Sequence, residues 1–153
     1  MGKLYVAYGS NLNLGQMAAR CPSATNYGVG LLNNWELLYR GVEGNAHATI
    51  ARKKGSSVPV LAWNIEPLDE RRLDRYEGYP RYYFKQNVMV DIGTQKKKAL
   101  VYIMDPSKKA ARPSASYVDT IRQGYIENGL DLAFFEESIY KNYVECSRRK
   151  IKY

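Results

Sequence analysis

Cysteine, histidine and phenylalanine are scarce in this chain, and each shortage narrows the chemistry open to it. Its 153 residues hold 2 Cys, 1 His, 3 Phe and 2 Trp. Cys21 and Cys146 lie far apart, in no CxxC or Cys/His ligand spacing. A reduced pair is therefore the simpler expectation, a single disulfide the alternative. With one histidine and no clustered carboxylates, a metal site is not expected. Ser10 has no His/Asp partner in a recognisable arrangement, which argues against a serine-hydrolase triad. No stretch approaches the roughly 18 to 20 apolar residues of a membrane span. The N-terminus reaches Gly9-Ser10-Asn11 after one short strand, which leaves no apolar region of a signal peptide. Met1-Gly2 resembles a myristoylation start, but Val6 stands where that motif requires Ser or Thr. A cytoplasmic protein without a membrane partner is the expectation.

Tyrosine and positive charge are what the chain has in excess. There are 14 Tyr, and the formal charge is +8. Half-buried phenol rings, packed on their faces and wet at their hydroxyls, suit a pocket for a small polar molecule as well as the rim of a β-rich fold. The cations cluster at Lys96-Lys97-Lys98, at Lys108-Lys109 with Arg112, and in the tail Arg148-Arg149-Lys150-Lys152. No aromatic interleaving or recognition-helix pattern accompanies them, so they read as solvated surface and no nucleic-acid partner is expected.

The size suits one domain spanning residues 1–153, with no repeat or linker dividing it. Lys3 to Tyr8 reads as a strand stopped by Gly9, and Asn13 to Arg20 as a short helix closed by Cys21-Pro22. Asn26 to Leu32 and Trp35 to Arg40 read as strands joined at Asn33-Asn34. His47 to Arg52 and Val58 to Ile65 form a second pair around Lys54-Gly55-Ser56-Ser57. Pro67 starts a helix running to about Tyr76, ended by Gly78 and Pro80. Tyr82 to Val90 and Lys98 to Met104 make a hairpin, followed by a helix from a Ser116-x-x-Asp119 capping box to Asn128-Gly129 and a last helix from about Leu132. Seven short strand signals with helices inserted and appended point to an α+β protein, its sheet curled into a small mixed β-barrel.

Two segments carry candidate chemistry. Tyr8-Gly9-Ser10-Asn11-Leu12 joins a strand to a helix, where glycine frees the backbone to present N–H groups to a carboxylate or oxyanion. The same pattern also serves ordinary turns. In Leu73-Asp74-Arg75-Tyr76-Glu77-Gly78-Tyr79-Pro80, Glu77 falls at a helix C-terminus, the unfavourable end of the macrodipole. Tyr76, Tyr79, Tyr82 and Tyr83 surround it in sequence. Both effects raise a carboxyl pKa toward the range of a general base near pH 7. Leu68, Leu73 and Tyr76 form a helix face expected in the core, and His47 reads as a satisfied structural histidine.

These two segments together resemble the γ-glutamylcyclotransferase (AIG2-like) superfamily. Arg112-Pro113-Ser114-x-x-Tyr117 is similar to the family's Pro-Ser-x-x-Tyr, and Ile126-Glu127-Asn128-Gly129-Leu130 to the close of its late helix. Ala48-Thr49-Ile50 and Val60-Leu61-Ala62-Trp63 extend the match from residue 4 to about residue 140. Asn11 after Gly-Ser resembles the general γ-glutamyl branch more than the glutathione-specific one. The resemblance implies a mixed barrel with a pocket at one end, no cofactor, and a monomer or homodimer. It implies ring closure of a small-molecule γ-glutamyl substrate to 5-oxoproline, with Glu77 as acid–base. Tyr5, Tyr8, Gly9, Ser10, Asn11, Leu12, Tyr83 and Tyr117 would bind substrate, Tyr82 being the alternative to Tyr83. A γ-glutamylated amine or a biosynthetic intermediate is the alternative substrate, and a non-catalytic binding module of the same fold the alternative role.

Overall fold

Where the sequence suggests seven short strands, the backbone runs five longer ones. The structure, a computed structural model, describes residues 2–151. Strands β1 (Lys3–Ala7), β2 (Thr25–Val42), β3 (Asn45–Ile65), β4 (Tyr83–Ile92) and β5 (Gln95–Met104) close into a barrel in the order β1-β3-β2-β4-β5. Neighbours are antiparallel except β1 and β5, which meet in parallel with Tyr5 opposite Leu100.

The expected turns at Asn33-Asn34 and Lys54-Gly55-Ser56-Ser57 are instead a bulge within one continuous β2–β3 ladder. Asn33 pairs with Ser57 and Trp35 with Arg52, leaving Asn34 opposite residues 53–56. Asn34 adopts φ 70 and Gly55 φ 86. The Asn34 Oδ1 accepts from Gly55 N at 3.1 Å, and Ser57 Oγ donates to Asn33 Oδ1 at 2.6 Å. Residues able to enter the left-handed region serve a bulge as readily as a turn, and local pattern does not separate the two. The reversal lies further on, where Val42 pairs with Asn45 around Gly44.

Helix α1 (Leu14–Arg20) is capped by Asn13, whose side chain accepts from Gln16 N at 3.0 Å. Helix α2 (Pro67–Glu77) opens on a capping box in which the buried Asp69 accepts from Glu66 N at 2.9 Å. It closes on Gly78 at φ 69, whose N–H reaches the carbonyls of Asp74 and Arg75. The cap of α3 (Ala115–Glu127) is Ser114, accepting from Tyr117 N at 3.2 Å, and not Ser116. Asp119, the expected box partner, pairs with Arg122 at 2.6 Å instead. Helix α4 (Leu132–Ile151) lies against the barrel through Tyr39 Oη and Ser138 Oγ, 2.7 Å apart, and through Asn142 Nδ2 donating to Ala111 O at 2.9 Å. In the basic tail, Lys152 and the side chains of Arg149 and Lys150 lie outside the described residues.

Buried apolar side chains, among them Ile50, Val60, Leu61, Val101 and Met104, fill the core, joined by Leu12, Met17 and Phe135 from outside the strands. Cys21 and Cys146 are buried and not bonded to each other. No helix among the described residues is long and apolar enough to cross a membrane. One packing detail bears on the site. A Cβ at Gly124 of α3 would stand 2.7 Å from Leu12 Cβ and 2.8 Å from Asn13 N. Asn128 Nδ2 also donates to Leu12 O at 2.8 Å, and Asn13 Nδ2 to Thr120 O at 3.1 Å. Helix α3 thus clamps the loop that follows β1.

Candidate functional site

That loop is a single 3-10 turn, Ser10–Leu12, entered through Gly9. Leu12 N donates to Gly9 O and Asn13 N to Ser10 O, each at 3.0 Å. The donors at the start of a helical turn have no acceptor within the turn, so the N–H groups of Gly9, Ser10 and Asn11 are available for a ligand. Gly9 has φ -123 and ψ -129, outside the left-handed region, and the space around it is tight. A Cβ there would sit 3.2 Å from Ala48 Cβ and 3.4 Å from the Tyr117 hydroxyl. Trp63 Nε1 donates to Asn11 O at 3.2 Å, tying the turn to β3.

Glu77, the last residue of α2, meets this turn across a cavity of about 300 Å³. Both segments line it, with Tyr5, Tyr8, Tyr83 and Tyr117. Glu77 as a residue is half-buried, but its carboxyl end is shielded from water. Loss of water pushes its pKa up to about 7, against an opposing pull from the Arg20 guanidinium. The carboxyl therefore exchanges a proton near neutral pH. Burial also raises the phenols of Tyr5, Tyr8, Tyr83 and Tyr117, and the nearby Glu77 charge adds to each rise. These rings remain neutral hydrogen-bonding groups.

The direction of each phenol's hydrogen bond follows from its partner. Tyr8 Oη donates to Tyr102 O at 2.6 Å and Tyr83 Oη to Ala48 O at 2.7 Å, so both keep only acceptor capacity for a ligand. Tyr117 Oη accepts from Ala48 N at 2.9 Å and keeps its proton to donate. Arg20 donates to Asn11 Oδ1 at 2.5 Å, which orients that amide so that Nδ2 donates to Tyr5 Oη at 3.0 Å. Tyr5 likewise keeps a proton. Two donors and two acceptors thus line the cavity together with one carboxyl.

The residues expected from sequence divide cleanly. Glu77, Tyr5, Tyr8, Gly9, Ser10, Asn11, Tyr83 and Tyr117 come together, while Leu12 does not. Leu12 is fully buried beneath Gly124 and serves packing. Tyr83, buried, and its alternative Tyr82, half-buried beside it, both line the cavity. Tyr79, expected near Glu77, is exposed and carries Lys85 Nζ over its ring at 4.2 Å. Of the apolar face assigned to α2 only Leu73 is buried; Leu68 and Tyr76 are exposed. Tyr76 lines the cavity and its hydroxyl lies 3.0 Å from Ser10 Oγ. His47 is not a satisfied core residue. It lines the same cavity, edge-on to Tyr117 at 5.0 Å, with Nδ1 buried and lacking a partner among the described residues. Burial lowers its pKa, so it is neutral at pH 7. Arg20 carried no local signal, because the Tyr76 ring that holds it comes from α2, and His47 read as structural because only the tertiary fold brings β3 to the loop.

Comparison with known proteins shows the family. The model of a family described as gamma-glutamyl cyclotransferase, AIG2-like, matches residues 5–120. Gamma-glutamylcyclotransferase of Homo sapiens is 31% identical over 144 residues, spanning 88% of this chain and 76% of that protein. That of Bos taurus is 30% identical over 141 residues, spanning 86% and 74%. A solved gamma-glutamyl cyclotransferase superposes with a TM-score of 0.83 at 28% identity, covering 90% of this chain and 86% of that one.

Proposed function

We propose that this chain, which belongs to the gamma-glutamyl cyclotransferase, AIG2-like family and is a cyclotransferase, closes the γ-glutamyl group of a small amide on itself. The α-amine nitrogen bonds to the γ-carbonyl carbon, and the bond from that carbon to the leaving nitrogen breaks. The products are 5-oxoproline and a free amine or amino acid, with no water consumed. Because nucleophile and electrophile share one molecule, holding the chain bent supplies much of the rate.

The observation that carries the reading is that Glu77 and the Gly9–Asn11 turn line one cavity. The α-amine is an ammonium at neutral pH and must lose a proton before it attacks. Glu77, with a pKa of about 7, takes it and returns one to the leaving nitrogen. The acceptors Tyr8 and Tyr83 suit the ammonium, and the donors Tyr5 and Tyr117 suit carboxylate or carbonyl oxygen. Amides of the Gly9–Asn11 turn stabilise the negative oxygen that develops in the tetrahedral intermediate. His47, neutral and unpartnered at Nδ1, is a further polar wall of the same space.

Incubation with a γ-glutamyl dipeptide, followed by chromatography for 5-oxoproline, tests the reading. Wild-type protein forms 5-oxoproline, and Glu77→Gln loses about 10²- to 10⁴-fold in kcat while keeping its circular dichroism spectrum. No product from wild type, or full activity in Glu77→Gln, overturns it.

A further inference from the structure

A second hollow, of about 260 Å³, opens beside the catalytic cavity and shares Ser10, His47, Tyr76 and Tyr117 with it. Its remaining wall is polar and mostly uncharged: Gln16, Asn45, Ser114, Ser116 and Thr120. The one ionised side chain there is Arg20. This guanidinium is half-buried, stacks on the Tyr76 ring with Cζ 3.5 Å from its centroid, and donates through one nitrogen to Asn11 Oδ1. No carboxylate among the described residues forms an ion pair with it. An arginine offers five N–H donors in a rigid fork. Ring stacking and the Asn11 bond hold this fork in one plane, and most of its donors are left for something else.

We propose that Arg20 and this hollow form the leaving-group subsite, in which the Arg20 fork receives the carboxylate of a leaving α-amino acid. The inference rests on the γ-glutamyl reading above and adds to it the residue that sets which amide is accepted. The split between the two spaces follows their chemistry. The cavity with Glu77 holds paired phenol donors and acceptors and the turn amides, which serve the ammonium, carboxylate and reacting carbonyl of the glutamyl part. The hollow adjoins it through Ser10 and Tyr76 and is open to solvent. A leaving amino acid with a short polar side chain meets hydroxyls and amides there, and its carboxylate meets the unpaired cation. A leaving group without a carboxylate leaves the arginine only its attraction to Glu77. Charge-assisted bidentate bonds are the strong and directional ones, so a single fork is enough to discriminate.

The test compares 5-oxoproline release from γ-glutamyl-L-alanine and from its C-terminal amide, γ-glutamyl-L-alaninamide, by wild type, Arg20→Gln and Arg20→Lys. Wild type prefers the acid by about tenfold or more in kcat/KM, expressed in KM. Arg20→Gln brings the ratio to within about twofold, because the acid loses far more than the amide. Removing Arg20 also alters the charge felt by Glu77, but both substrates share that effect and the ratio cancels it. An equal loss on both substrates overturns the proposal and assigns Arg20 to the glutamyl part or to loop positioning. So does a wild type indifferent to the carboxylate. Should the glutamine variant fail to fold, Arg20→Lys reads the same ratio: a point charge in place of the fork lowers the preference, and an unchanged preference overturns the assignment. Absence of 5-oxoproline from both wild-type reactions is a separate result, which overturns the γ-glutamyl reading and this inference with it.

Discussion

Two cavities of this protein differ in a way that separates a reactive site from a merely large one. The cavity beside Glu77 measures about 300 Å³; the cleft between α4 and the β2–β3 ladder measures about 680 Å³. The larger is lined by Arg40, Lys53, Lys108, Lys109 and Lys141 with Glu36, Glu137 and Glu145. Its charges are partly paired and wet: Lys141 meets Glu137 at 3.3 Å and Lys53 meets Glu36 at 3.9 Å. Water and counter-ions satisfy such groups, and they have nothing to gain from a reacting centre. In the smaller cavity the carboxyl is stripped of water and faced by phenols whose free valences are fixed by the backbone. Desolvation without pairing, more than volume, marks chemistry.

This contrast breaks in graded steps. Glu77→Gln carries the largest loss, as described above. Gly9→Ala comes next: a methyl pressed against Ala48 Cβ and the Tyr117 hydroxyl displaces the turn. A drop of about 10- to 100-fold in kcat/KM is expected, with little change in thermal stability. Steady-state kinetics beside a thermal melt checks both halves. Wild-type kinetics in Gly9→Ala would show that the turn does not touch substrate. At the small end, Lys141→Ala in the larger cleft removes only an exposed i,i+4 pair. Its stability should change by less than about 0.5 kcal/mol, with turnover unaffected. A marked loss of activity there would give the larger cleft a role and erase the contrast.

What could be read from the sequence follows the range of the signals. Gly78 and Pro80 mark the end of α2, so the position of Glu77 on that helix is a local fact, legible at once. The extent of α1 up to Cys21-Pro22 and the β4–β5 hairpin are local in the same sense. The bulge at Asn34 was misread as a turn because both call for the same residues; only pairing with Ser57 and Arg52 tells them apart. The cause of the Glu77 shift was anticipated in kind but not in all its agents. Of the neighbours in sequence expected to desolvate it, Tyr76, Tyr82 and Tyr83 line the cavity and Tyr79 is exposed. Tyr5 from β1, Tyr8 just after it and Tyr117 from α3 were not foreseen as agents. Gly9 was expected to free the backbone; what the sequence does not show is that it also makes room for Ala48 and Tyr117, which are distant in sequence. Arg20, one unmarked cation among 23 Lys and Arg, gains meaning only when Tyr76 and Asn11 hold it beside the cavity.

The central claim is that a desolvated Glu77 moves the proton. The pH dependence of kcat/KM for a γ-glutamyl dipeptide, in wild type and in Glu77→Gln, tests it most directly. An ordinary glutamate would already be ionised well below neutrality. Glu77, held protonated by burial, becomes a base only as pH rises through about 7. The wild-type profile should therefore climb through a midpoint near 7, and the residual activity of Glu77→Gln should lack that limb. A wild-type profile already flat below neutrality, or the same limb near 7 in the variant, would contradict the account.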